Sequence, residues 1–107
     1  MKPVVFCGDS LKAIRAFPDD AKRSVGHELR DVQHGLDPSD WKPMPSIGAG
    51  VREIRIRESS GAFRVIYVAS LPNAVFVLHA FQKKSRATPT ADLRLAAARL
   101  GAVLKEL

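Results

Sequence analysis

The sequence predicts an α+β fold: a small antiparallel sheet packed against two N-terminal helices, in the order β-α-α-β-β-β-α, as one domain over residues 1–107. Three observations carry this expectation. Apolar residues recur at helical spacing in the first third of the chain. Three runs of strand character follow one another in the middle, separated by short turn signals. A last helical stretch closes the chain. Helices and strands are segregated rather than alternating, which is the α+β pattern. A chain of 107 residues is one domain by size. Folding buries somewhat over ~60% of the unfolded surface at this length, enough for one modest core.

Each element has a local reason. Val4-Val5-Phe6-Cys7 is a short apolar run and reads as the first strand. Asp9 or Ser10 is expected to cap a helix reaching Phe17, with Leu11, Ile14 and Phe17 on one face. Pro18-Asp19-Asp20 opens a second helix, because proline suits a first turn and two acids suit the positive end of the dipole. Ala21, Val25, Leu29 and Val32 form its apolar stripe, and Gly35 ends it. Residues 36–50 (LDPSDWKPMPSIGAG) hold three prolines and two glycines and read as a loop, with Trp41 expected to plug the core. VREIRIRE (51–58) alternates, while AFRVIYVA (62–69) and AVFVLHAF (74–81) are nearly continuously apolar, as central strands are. Ser59-Ser60-Gly61 and Leu71-Pro72-Asn73 supply the two turns. Thr88 or Thr90 is expected to cap the last helix, with Pro89 in its first turn and Leu93, Ala96, Ala97, Leu100, Val103 and Leu104 on its apolar face.

Composition narrows the function. The chain is 46% apolar and 26% charged, the profile of a soluble globular protein. Its single cysteine, Cys7, cannot form an intrachain disulfide and sits in an apolar run, where it reads as a small buried hydrophobe. No stretch approaches the ~20 apolar residues of a membrane span and no signal-peptide pattern opens the chain, so a cytoplasmic protein without a membrane partner is expected. Seventeen Lys and Arg against eleven Asp and Glu give a net charge of +6 and a pI near 10.0, which favours a polyanionic partner.

The cations are placed unevenly. No Asp or Glu occurs between Glu58 and Asp92, whereas Lys83, Lys84 and Arg86 arrive within four residues at the end of the last strand. Alternation puts Glu53, Arg55 and Arg57 on one side of their strand, opposite Arg52, Ile54 and Ile56. Arg64 interrupts an apolar strand, where desolvating a guanidinium needs a reason. Neighbouring strands lie ~4.8 Å apart, so Arg55, Arg57, Arg64, His79, Lys83, Lys84 and Arg86 can converge on one sheet surface. His27, His34 and His79 are dispersed and lack HExxH or cysteine partners, so no metal site is expected; no P-loop, GxGxxG or GxSxG is present either. A basic sheet of this kind suits RNA cleavage by the RNA's own 2′-hydroxyl. Arginine clamps phosphate, and lysine with a depressed pKa or histidine moves the protons.

Two linked stretches carry a resemblance. VREIRIRESSGAFRVIYVA (51–69) is similar to V-x-E-L-R followed by G-x-[YF]-R-V-x-Y, and LHAFQKKSRATP (78–89) is similar to L-x-x-F-x-K-K-x-x-x-x-P. Both are motifs of the RelE/ParE toxin superfamily, and the chain most resembles its phage-derived, HigB-like branch. The resemblance implies a RelE-like fold and a toxin of a type II toxin–antitoxin system, which cleaves mRNA on the ribosome without metal or small-molecule cofactor and is held in check by a cognate antitoxin. Carried over by motif, Arg64, Lys83 and Lys84 are the catalytic candidates and Arg55 a phosphate ligand; Arg57, His79 and Arg86 join it from strand geometry. Two alternatives stay open: a ParE-like inhibitor of gyrase, and an RNA-binding relative without cleavage activity.

Overall fold

The computed structural model describes residues 1–107 and has the expected α+β class. Its elements are β1 (Val4–Phe6), α1 (Ser10–Arg15), α2 (Asp19–Gln33), β2 (Trp41–Pro43), β3 (Val51–Glu58), β4 (Gly61–Val68), β5 (Val75–Lys83) and α3 (Thr90–Glu106). The sheet has five strands in the order β1-β5-β4-β3-β2. β3, β4 and β5 form the antiparallel meander that the sequence predicts.

Two details differ from expectation. β1 joins β5 in parallel, which makes the sheet mixed. Trp41–Pro43 leaves the proline-rich loop to pair with Ile54, Glu53 and Arg52 as a fifth strand. Trp41 is half-buried at that edge, and its ring carries the Arg52 guanidinium 3.8 Å from the centroid, while Asp37 accepts a 2.8 Å hydrogen bond from the same group. It caps a cation at the edge instead of plugging the core.

The sheet has two unlike faces. On the first, Ile54, Ile56, Phe63, Val65, Tyr67 and Val77 meet Ile14 and Phe17 of the α1 segment and Ala21, Val25, Leu29 and Val32 of α2. This cluster holds fourteen buried residues, against seven in the cluster under α3. At about 1.5–3 kcal/mol per buried large apolar side chain, the first face carries most of the hydrophobic stabilisation. The tilted pair of Phe17 and Phe63 rings, 4.7 Å between centroids, marks its centre.

Caps fix the helix ends. α2 closes with Gly35 at φ +83, its N–H bonding the Val32 carbonyl while the Leu36 N–H bonds that of Asp31, a Schellman closure that only glycine adopts without strain. Pro89 takes the N-cap position of α3, so Thr88 and Thr90 do not cap it as the sequence suggested. Ser59 and Ser60, the two residues of the β3–β4 hairpin, hydrogen-bond the Asp20 carboxylate and so fasten the turn to the start of α2.

On the second face α3 lies along β5 and buries Ala96 and Leu100 against Val51, Ile66, Val68 and Leu78. A bulge in the β4–β5 ladder shifts the partners from Ile66↔His79 to Tyr67↔Val77, leaving Leu78 unpaired. The end of this face nearest the β3–β4 hairpin stays uncovered by α3, and the cations gather there.

Candidate functional site

Strand register builds the site. Arg55 of β3 lies directly across from Arg64 of β4, which lies across from Phe81 of β5. Two pairs further along, Arg57 faces Ala62, and Ala62 faces Lys83. Period-two alternation therefore puts Arg55, Arg57, Arg64 and Lys83 on one face. The chain then leaves β5 through Lys84, Ser85 and Arg86, all exposed, which raises a wall beside that floor.

The result is a shallow concavity of about 730 Å³ lined by Arg55, Arg57, Arg64, Lys83, Lys84 and Arg86. Glu58 is its single acid and Ala62 its single apolar residue. The Glu58 carboxylate already accepts a hydrogen bond from the Ser24 hydroxyl. Like charges directly opposite in a sheet are destabilising, so the Arg55–Arg64 pair is kept at a cost in stability. Six cations around one open hollow give an anion-attracting potential.

Arg64 has the most constrained environment. It is 3% exposed, and its Nη1 donates to its neighbour's carbonyl, Phe63 O, at 3.0 Å. Its Nε is buried without a hydrogen-bond partner and lies 3.6 Å from Glu53 Oε1. Burial pushes the guanidinium below its ordinary value; Glu53 opposes that shift and Arg55 and Arg57 add to it. Arginine still stays charged. The Lys83 ammonium is likewise held below the usual lysine value, first by desolvation and then by the Arg64 charge. A lysine in that state is a better proton acceptor near neutral pH than a free one.

Glu53 was not expected to matter and lies at the base of the site. It is fully buried, it faces Ile66 across the ladder, and its Oε2 accepts a 3.1 Å hydrogen bond from the Thr88 hydroxyl. Its Oε1 has no hydrogen-bond donor; Arg64 Nε and Lys42 Nζ, at 3.6 and 4.0 Å, are the nearby charges. The signal in the sequence was its alternation with Arg55 and Arg57, which put the acid on the cation face rather than in solvent.

His79 is the sequence candidate that the fold does not bring into the hollow. It sits on the same sheet face but under α3, 8% exposed and stacked on Phe81. Its Nε2 is 2.5 Å from Asp92 Oδ1, and its Nδ1 is 3.4 Å from Arg99 Nη1. Arg99 continues the chain to the Leu78 carbonyl at 3.0 Å and to Asp9 Oδ1 at 2.6 Å. These four side chains tie α3 to β5 and to the start of α1. Arg99 passes so close to Gly8, at φ +54, that a Cβ there would lie 2.4 Å from its Nε. Cys7 lies nearby, partly buried, with its thiol pushed above the ordinary value mainly by that burial. Of the candidates, Arg55, Arg57, Arg64, Lys83, Lys84 and Arg86 come together and His79 stands apart as a structural tie.

No helix is long and apolar enough to cross a membrane. No match was found among curated proteins. Compared with protein-family models, residues 12–101 match the family described as phage derived protein Gp49-like (DUF891), which spans the site and both helical layers.

Proposed function

The chain belongs to the phage-derived Gp49-like family, a family associated with RelE-like toxins, and on that premise we propose that it is the toxin of a type II toxin–antitoxin pair, acting as a ribosome-dependent mRNA endonuclease. The observation that carries the reading is the convergence of six cations from β3, β4, β5 and the following loop on one open hollow. That arrangement suits a polyanionic strand bent across a sheet. Its chemistry suits a reaction that the RNA performs largely on itself.

In this reading the 2′-oxygen bonds to the adjacent phosphorus and the bond from phosphorus to the 5′-oxygen breaks, leaving a 2′,3′-cyclic phosphate and a 5′-hydroxyl. Lys83, in its neutral form, takes the 2′-hydroxyl proton, since its environment depresses its pKa. Lys84, as ammonium, returns a proton to the 5′-oxygen. Arg55, Arg57 and Arg64 hold the phosphate as negative charge builds on it, the role in which fixed donors are worth most. Arg86 on the loop extends the contact to the next phosphate. A cytoplasmic setting follows, because ribosomes are there. The same exposed cations call for an antitoxin rich in Asp and Glu, which would associate fast through electrostatic steering.

The test is primer extension on cellular mRNA after induction of the protein. New ends inside translated codons support the nuclease. Intact transcripts together with broken DNA would point to gyrase poisoning instead, and normal growth with neither would contradict a toxin of either kind.

A further inference from the structure

The buried carboxylate of Glu53 is not used by the chemistry above, and its surroundings ask for an account. A carboxylate removed from water is ordinarily surrounded by donors. Here one oxygen, Oε2, is held by Thr88, and the other, Oε1, has only charge to compensate it: Arg64 Nε at 3.6 Å and Lys42 Nζ at 4.0 Å. With 0% exposure it cannot touch an RNA strand. It does touch both parts that build the hollow, Arg64 on the floor and, through Thr88, the loop that carries Lys84 and Arg86.

We propose that Glu53 is a positioning residue: it aims the Arg64 guanidinium through one carboxylate oxygen and latches the Lys84–Thr88 loop against the sheet through the other. The proposal rests on the reading of the hollow as an RNA-phosphate site. Arg64 has Nη1 committed to Phe63 O and Nε turned toward Glu53, so Nη2 is the nitrogen left to face a phosphate. Without the carboxylate, the Phe63 carbonyl is the one partner left to fix that guanidinium, at a single nitrogen, and the Arg55 charge directly across the ladder pushes it away. Loss of the Thr88 bond would free the loop at its α3 end, four residues from Lys84.

Bulk electrostatics and positioning give opposite signs for one substitution, which makes the proposal testable. Glu53→Gln keeps the volume and an oxygen for Thr88 but deletes the charge, raising the net charge from +6 by one. If Glu53 were only a background negative charge, removing it would strengthen RNA binding and leave the rate alone or raise it. Positioning requires that kcat for cleavage of a translated message fall on the order of 10²-fold, since a misplacement of about 1 Å costs that much, with KM unchanged or lower. Thr88→Val should lower kcat as well, while Thr88→Ser, which keeps the hydroxyl, should restore it.

A second readout is independent of nuclease activity. In ¹⁵N-labelled protein the Arg64 Nε–H should exchange slowly with solvent, and in Glu53→Gln its exchange should accelerate by ~10-fold or more while the melting curve stays cooperative. If the wild type cleaves nothing, the reading of the site fails and the exchange measurement alone decides the positioning role. Unchanged Arg64 Nε–H exchange in a folded Glu53→Gln protein would overturn the proposal, and so would wild-type kcat in that variant.

Discussion

The two faces of the sheet obey different rules. The face under α1 and α2 is apolar through its centre, with Arg52 confined to its β2 edge: Ile54, Phe63, Val65 and Val77 are fully buried there. The face under α3 is half covered. Near β1 it is apolar, and toward the β3–β4 hairpin it holds an acid with no exposure, a nearly buried arginine and five more exposed or half-exposed cations beside them. One face is built for stability. The other accepts unfavourable features, such as Arg55 opposite Arg64 and a carboxylate oxygen without a donor, and such features concentrate at functional sites.

Substitutions should separate the faces. The largest effect is expected on the apolar side. Phe63→Ala removes a fully buried ring packed on Phe17 and should cost about 3–5 kcal/mol. Denaturant unfolding reads this out, and a loss below 1 kcal/mol would mean that this face is not the main core.

Arg64→Ala tests where the two faces meet. It leaves the Glu53 carboxylate buried without its nearest cation, so stability should fall by about 3 kcal/mol and cleavage should be lost with it. The double variant Glu53→Met with Arg64→Met should regain most of that stability and none of the activity. A single Arg64→Ala variant as stable as wild type would show that the pair is not coupled in the way the 3.6 Å approach implies.

The half-buried Lys83 should behave oppositely. Lys83→Ala should change stability by no more than ~0.5 kcal/mol yet slow cleavage by about 10²-fold or more. The wild-type rate should rise with pH through a transition below the ordinary lysine value, because the Lys83 ammonium is destabilised by desolvation and by Arg64. That transition should vanish in Lys83→Ala; its persistence would assign the proton transfer to another group.

The smallest expected effect lies in acid. The hydrogen bond from Arg99 holds the Asp9 carboxyl below its ordinary value, and the one from Ser60 does the same for Asp20. The folded chain therefore binds fewer protons than the unfolded one in this range. Their contribution is present above the ordinary carboxylate pKa of about 4 and is lost as pH falls through the lowered values. Both groups are exposed, so the melting temperature should drift down modestly with acid rather than collapse, and Asp9→Asn should flatten that drift.

Most of the fold was legible because its main elements are long and periodic. β3, β4 and β5 stand out as runs of eight or nine residues, and the α2 stripe repeats cleanly. β1 and β2 have three residues each, too few for periodicity, so neither the parallel pairing of β1 nor the strand at Trp41 could be read. The convergence of Arg55, Arg57, Arg64 and Lys83 was legible because alternation and antiparallel adjacency are local rules. The role of His79 was not. Alternation put it on the right face, but only the path of α3, set by contacts of Asp92 and Arg99 from 13 and 20 residues away, decides that it is covered. Glu53 was missed for a related reason: the sequence shows an acid among arginines, and only the fold shows that it is sealed beneath them.

The central claim is that the open end of the second face binds RNA phosphates. The most direct measurement is the affinity of the folded protein for a short single-stranded RNA as a function of salt. With four to six phosphates engaged, log Kd against log salt should have a slope of roughly 3 to 4 in magnitude, weakening with salt. Arg57→Ala, which removes one exposed contact of the hollow, should reduce that slope by about 0.7. A slope near zero, or one that Arg57→Ala leaves unchanged, would contradict the account.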